Sequence, residues 1–345
     1  MTNLANTLYV TTPGAYLRRD HETVVVRIEK RTALAVPLHH LAGIVCFGQV
    51  GVSHGLLQAC GKAGVAVSFL SRSGRFLARV EGPRAGSVLL RRAQFRASDD
   101  ATAIVRLARS FVAGKIVNAR ALLVRGARET EEEADVERLD AAAESLRRTI
   151  EVIGRVDTLT LDELRGHEGE AARVYFGAFD AMVRRERERF RLSGRSRRPP
   201  LDPMNALLSF LYALVSHDAD SALQAVGLDP GVGYLHADRP GRPSLALDLA
   251  EEFRASIADR LAIALVNLGQ LKAAGFVTSE TGAVSLSDEA RKTVLVAYQK
   301  RKQEPITHPF TGEQTTIGLT FFVQAQLLAR AVRGDLDVYP PFAVR

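Results

Sequence analysis

The chain has 345 residues, 46% of them hydrophobic and 25% charged, with 46 Lys and Arg against 39 Asp and Glu for a net charge of +7. This composition excludes a disordered or low-complexity chain, leaves room for two modest cores, and permits a polyanionic partner. Cys46 and Cys60 lack any CxxC spacing, so they are expected to be reduced core thiols of a cytoplasmic protein; the first residues lack a basic and apolar leader pattern, and no apolar run is long enough to span a bilayer, so neither export nor a membrane anchor is predicted.

From Thr7 to about Pro83 the chain alternates short apolar runs (TLYVTT, AYLRR, TVVVRIE, ALAVPL, GIVCFG, VAVSFLS, RFLARVEG) with Gly, Pro or polar breaks, a strand pattern interrupted by one helix at about Ser53 to Lys62. Beyond Leu89 the spacing becomes helical. The fold class expected is therefore α+β and multidomain: a small N-terminal β-rich domain over residues 1–90, a linker over 91–98 and a larger all-helical domain over 99–345. Ser98 offers a start for a helix carrying Ile104, Leu107, Ala108, Phe111 and Val112, and a second helix is predicted from about Glu131 to Ile153. TLTLDELRGHEG then predicts a short helical turn stopped at Gly166, after which an amphipathic helix resumes through Ala172, Tyr175, Phe176, Phe179 and Val183. On local grounds Glu168, at that junction, reads as a capping acid.

That helix is expected to run into RRERERFRLSGRSRR, which holds eight arginines against two glutamates between Arg184 and Arg198. Arginine is the better bidentate donor to phosphate, which makes Arg184, Arg187, Arg191, Arg195, Arg197 and Arg198 candidates for contact with DNA; a helix laced by Glu–Arg pairs accounts for the same run. Asp202-Pro203 predicts the next helix start, backed by Leu207, Leu208, Leu211, Leu214 and Val215. Near the end, AGFVTSETGAVSLSDEA predicts a hairpin and then a helix from Asp288 to Lys302, followed by a polar turn with His308 and a last helix. There is no P-loop, GxGxxG unit or GxSxG elbow, which argues against nucleotide-cofactor and serine-hydrolase chemistry.

The stretch from Gly231 to Arg254 carries the chemistry. Pro240, Gly241 and Pro243 forbid a helix after His236, and one is predicted to begin near Ser244, with Leu249, Phe253, Ile257, Leu261, Leu265 and Leu268 on its apolar side and Asp248, Glu251 and Glu252 gathered opposite. Imidazole with carboxylates suits Mn²⁺ or Mg²⁺, but a loop histidine and a helical acid need a third ligand from elsewhere, and a solvated acidic face explains the helix equally well.

Several long motifs in order carry a resemblance over essentially the whole chain: GVSHGLLQACGKAGVAVSFLSRSGRFLARVEGP and LLRRAQFR early, GHEGEAARVYF in the middle, GLDPGVGYLHADRPGRPSLALDLAEEFR later, and HPFTGEQTTIG with QAQLLAR at the end. The sequence resembles the CRISPR-associated integrase of spacer acquisition, the endonuclease-like universal subunit of the adaptation complex, and the loop after His236 looks most like type I relatives. The resemblance implies a β domain, a helical catalytic domain, a homodimer, a small companion subunit, and metal-dependent phosphoryl transfer on DNA with Mg²⁺ or Mn²⁺. Its ligand set falls here on Glu168, His236 and Glu251, with Asp248 as a supporting or alternative ligand. A non-catalytic DNA-binding scaffold is the rival reading, distinguished by its indifference to metal.

Overall fold

A computed structural model describes residues 7–41, 43–72, 76–82, 88–155, 158–192, 194–196 and 199–344. The chain divides into two compact units: Met1–Ala85 with Arg291–Pro305 and Thr316–Leu319, and Gly86–Ala290 with Ile306–Thr315 and Thr320–Arg345.

The first unit holds strands β1 (Thr7–Val10), β2 (Tyr16–Asp20), β3 (Thr23–Ile28), β4 (Arg31–Pro37), β5 (Gly43–Phe47), β6 (Gly51–Val52), β7 (Ala66–Leu70) and β8 (Phe76–Val80). They form two four-stranded sheets, ordered β1-β5-β7-β8 and β4-β3-β2-β6. Helix α1 (His54–Ala63) starts where the Ser53 hydroxyl accepts from the Leu56 amide, and it ends on Gly64 in the left-handed region. One core joins Leu17, Val24 and Val26 with Ile44, Cys46, Leu56, Cys60 and Val67. Both cysteines are free and buried there, and burial pushes the Cys46 thiol up to about 12 and the Cys60 thiol to about 11. They are inert core residues, as the sequence predicts.

The expected linker over 91–98 is instead part of helix α2 (Val88–Asp99). Its residue Gln94 is fully buried, donating to the carbonyls of Asp229 and Val232 and accepting from the Asp229 amide. A side chain so engaged fixes the segment as part of the second unit. Asp100, not Ser98, caps helix α3 (Ala101–Glu129), accepting from the Thr102 amide. Helix α4 (Glu133–Arg155) follows, then helix α5 (Leu161–Ala178), which opens on a capping box between Thr160 and Glu163.

Helix α5 passes straight through Gly166. Glycine there costs about 1 kcal/mol relative to alanine, less than the burial of Leu164, Ala171 and Tyr175 on its inner face returns. The predicted continuation into the arginine run does not occur. Through a tight turn at Phe179–Met182, four of the five residues from Phe179 to Val183 are buried apolar side chains, which leaves no single apolar stripe to sustain a helix. Asn267 then holds the extended chain, donating to the Met182 carbonyl and accepting from the Arg184 amide.

Helix α6 (Pro203–Val226) begins on Asp202 as predicted, and helix α7 (Ser244–Phe253) begins at Ser244. A π-helical turn at Arg254–Asp259 then leads into helix α8 (Arg260–Asn267). The apolar residues from Leu249 to Leu265 recur at steps of four, wider than the ~3.6-residue turn of an α-helix, and the π turn absorbs that excess so that all of them stay on the core side. Hairpin β9 (Phe276–Thr278) and β10 (Val284–Leu286), helix α9 (Asp288–Gln303), hairpin β11 (Pro305–Thr307) and β12 (Gln314–Thr316), and helix α10 (Ile317–Arg333) complete the chain. The part beyond residue 99 is thus mostly helical, with two small hairpins. Among the described residues no helix is long and apolar enough to cross a membrane.

Candidate active site

The histidine loop between α6 and α7 is clamped from three helices. From α2, Gln94 holds its start; from α5, the Arg165 guanidinium donates twice to the Leu235 carbonyl, at 3.1 and 2.9 Å. From α7, Asp248 accepts the backbone amides of Tyr234 (2.7 Å), Leu235 (3.0 Å) and His236 (2.9 Å) and contacts His236 Nδ1 at 2.6 Å. Only glycine fits at Gly233, where a Cβ would meet Ser244 at 2.6 Å and the His236 carbonyl at 2.8 Å. The loop is therefore rigid despite its irregular backbone, and with Nδ1 taken by Asp248 the other ring nitrogen of His236, Nε2, is left free of the loop.

Nε2 faces Glu251, whose Oε1 lies 3.8 Å away. Glu251 also pairs with Arg254 at 2.5 Å and with the Lys115 ammonium at 2.9 Å. Lys115, projecting from α3, simultaneously pairs with Glu168 from the middle of α5. Three separate elements thus bring Glu168, His236 and Glu251 to one place, with Lys115 between the carboxylates. Glu168 sits well inside its helix, so it is not a capping acid; Asp162 and Glu163 occupy the first turn instead.

The acids of α7 are not a solvated face. Asp248, Glu251 and Glu252 are all buried. Burial pushes the Glu251 carboxyl up, but Arg254, then Lys115 and His236, outweigh it and hold the group down at about 2. Glu252 points away from the histidine and accepts from the Phe342 amide (2.7 Å) and from Gln324 (3.0 Å). Burial there pushes its carboxyl up to about 8. Asn118 completes this buried lattice, donating to the carbonyls of Glu252 and Phe342 and accepting from the Val344 amide. The backbone carrying Glu251 is thereby tied to the C-terminal segment.

Beside Lys115 and Glu251 lies a pocket floored by Tyr175, Tyr212 and Asp259. Both phenols donate to the Asp259 carboxylate at 2.7 Å. Burial pushes that carboxyl up to about 6, although the two hydrogen bonds and the nearby Arg195 and Arg254 favour its charge.

The arginine run is less uniform than a phosphate track. Arg187 is committed to Asp135 by two hydrogen bonds of 2.6 and 2.7 Å. Arg195 lies over the rings of Phe176 and Tyr212 and donates to Asn205. Arg184 donates to the Glu129 carbonyl but stays half exposed, and Arg191 is exposed. Arg197 and Arg198 lie outside the described residues.

The donor set suits a hard divalent cation: two carboxylates that already share the Lys115 charge, and one imidazole nitrogen beside the second of them. Among the described residues no three histidine, cysteine or acidic side chains are drawn together tightly enough to hold a metal as they stand. Lys115 and Arg254 were not legible from spacing, since each is one cation among many in an amphipathic helix. Asp248 has all its capacity spent on the loop, which separates its role from that of Glu251.

The chain combines a β-rich unit with a mostly helical unit, the latter carrying two acids and a histidine linked through Lys115 and Glu251. The family model for CRISPR associated protein Cas1 matches residues 8–300, and the chain belongs to that family. It is similar to CRISPR-associated endonuclease Cas1 1 of Chlorobaculum tepidum, 53% identical over 341 residues that cover 99% of this chain and 98% of the relative. Its fold is similar to that of a CAS1 protein from Thermotoga maritima, with a TM-score of 0.80 at 25% identity over 95% of this chain and 97% of that one. A casposase bound to integration product shares the fold with a TM-score of 0.82 at 21% identity, over 98% and 94% of the two chains.

Proposed function

We propose that the chain is a metal-dependent DNA endonuclease and integrase that inserts short DNA fragments into a CRISPR array by attack of a 3′-hydroxyl on a phosphodiester. The observation that carries this reading is that Lys115 pairs with both Glu168 and Glu251 while His236 Nε2 lies 3.8 Å from the other oxygen of Glu251. These three residues would hold Mg²⁺ or Mn²⁺, which supplies polarisation of the scissile phosphate and lowers the pKa of the attacking hydroxyl.

The chain's own groups do the rest. Asp248 holds the His236 ring through Nδ1, so that Nε2 keeps its lone pair directed into the site. Arg254 keeps Glu251 ionised in a buried setting. Lys115, released from the carboxylates, is left beside the phosphate as a fixed positive charge for the developing negative one. The phenols of the neighbouring pocket, Tyr175 and Tyr212, are both engaged by Asp259, so the reading invokes no covalent protein intermediate, and one site serves both joining, with a DNA hydroxyl as nucleophile, and cutting, with water. DNA, a second copy of this chain and a small companion subunit are its proposed partners.

The reading is tested by measuring joining and nicking of a supercoiled plasmid alongside DNA binding, for wild type and Glu168→Ala, with Mn²⁺, Mg²⁺ or chelator. Loss of both reactions in Glu168→Ala with binding retained supports it. Binding without any metal-dependent reaction in the wild type makes the chain a scaffold instead.

A further inference from the structure

On the side of α3 turned away from Lys115 runs a groove that the proposed chemistry does not use. At about 100° per residue, Arg120, Val124 and Arg128 stand roughly 140° to 220° around the helix from Lys115. Arg120, Arg125, Arg128 and Arg260 line the groove, with Phe310 and Pro341 among its apolar residues. It continues into a second opening that shares Leu122, Arg125 and Arg260 and adds Arg184. Glu129 is the one acid among the residues lining either part.

Two of these arginines hold no short ion pair among the described residues, although the charge of Arg120 is felt by Glu144. Arg120 is half buried, its Nε has no hydrogen-bond partner, and neither it nor the exposed Arg128 forms an ion pair. A buried guanidinium N–H without an acceptor is costly, and a carboxylate or phosphate would relieve it. Phe310 stands beside them, 53% exposed. At about 810 Å³ the groove lies near the top of the roughly 300–1,000 Å³ range of ligand pockets, and it is elongated rather than compact. Along α3, the stretch from Val117 to Thr130 is about 20 Å long, the span of about six extended residues.

We propose that this groove binds an extended peptide segment of a protein partner, one carrying acidic residues with apolar residues between them. Each acid pairs with an arginine of α3 or α8, and the apolar side chains cover Phe310 and the prolines. Nucleic acid fits less well. A duplex is too broad and stiff to reach a half-buried Arg120, and a single strand needs successive aromatic platforms, whereas Phe310 is the one aromatic residue lining the groove. The groove also faces away from the catalytic residues, so DNA entering the site need not cross it.

The test measures fluorescence anisotropy of two labelled probes, a dodecapeptide of alternating Glu and Leu and a single DNA strand of equal length. They are titrated with full-length wild type, Arg120→Glu/Arg128→Glu, Arg128→Glu alone and Phe310→Ala. The exposed single reversal guards against misfolding of the double variant. Peptide affinity is expected to fall about tenfold or more in the double reversal and several-fold in each single variant, with DNA affinity unchanged. Failure of the wild type to bind the peptide, or peptide affinity indifferent to the reversals, overturns the proposal. Equal loss of both probes assigns the groove to nucleic acid and overturns it too.

Discussion

His236 Nδ1 lies 2.6 Å from Asp248 Oδ1, while the same carboxylate accepts the backbone amides of residues 234, 235 and 236. One buried acid thus fixes both the path of the loop and the direction of its histidine. Asp248→Asn would place an amide donor among groups that are themselves donors. We expect joining activity to fall about 10- to 100-fold, as for other groups that orient a ligand, and stability to fall by about 1–3 kcal/mol. Urea unfolding and plasmid joining on the same preparation check this, and a variant fully active but less stable would reduce Asp248 to a loop staple.

Lys115 neutralises Glu168 and Glu251 together. Removing it leaves the two acids facing each other with Arg254 as the nearest remaining cation for Glu251. Lys115→Ala should therefore be less stable than wild type in chelator by about 2–3 kcal/mol, below the roughly 3–5 kcal/mol of breaking a fully buried pair since Lys115 and Glu168 are partly exposed. Mn²⁺ should raise its melting temperature more than it raises that of wild type, and isothermal calorimetry should show tighter Mn²⁺ binding.

Phe342 stacks on Phe253 with ring centroids 4.9 Å apart, and its amide donates to Glu252. There is no slack in this region, since a Cβ at Gly114 would meet Pro341 at 2.8 Å. Phe342→Ala is expected to cost about 3–5 kcal/mol in urea unfolding. Because the segment ties down the residue next to Glu251, activity at a temperature where the variant remains folded should also fall. Unchanged stability would show that the C-terminal segment is not packed in solution.

Asp259 gives a pH dependence of definite sign. Its carboxyl is held up at about 6 from an ordinary value of 3.8, so between those pH values the folded chain keeps a proton that the unfolded chain has released. Its contribution to stability therefore falls as pH rises from about 4 to about 6 and is flat above. At about 1.4 kcal/mol per pH unit the full change is about 3 kcal/mol. The difference in unfolding free energy between wild type and Asp259→Asn, measured at pH 4.5 and 6.5, should shift against the wild type at the higher value; no shift would contradict the assignment.

The sequence conveyed the division into a β-rich part and a helical part because strand and helix periods differ, and it conveyed the starts of α6 and α7 because Asp202-Pro203 and Pro243-Ser244 are local signals. It misplaced what depends on distant contacts. Gln94 makes a helix of the apparent linker by bonding to residues 135 or more positions away. Gly166 is carried through by the packing of α5, and the arginine run is held out of a helix by Asn267. In the site, Glu168, His236 and Glu251 were reached through motif resemblance. Lys115 and Arg254 became visible only when α3, α5 and the π turn brought them to the acids.

The central claim, that these residues perform metal-dependent strand transfer, is tested most directly with a labelled short duplex bearing free 3′-hydroxyl ends, a supercoiled plasmid and the companion subunit. Wild type and His236→Ala are compared in Mn²⁺, Mg²⁺ and chelator. The account predicts joined product from the wild type with metal, none in chelator, and a loss of at least about 100-fold in His236→Ala with DNA binding retained. Joining that persists in chelator, or in His236→Ala at the wild-type rate, would contradict it.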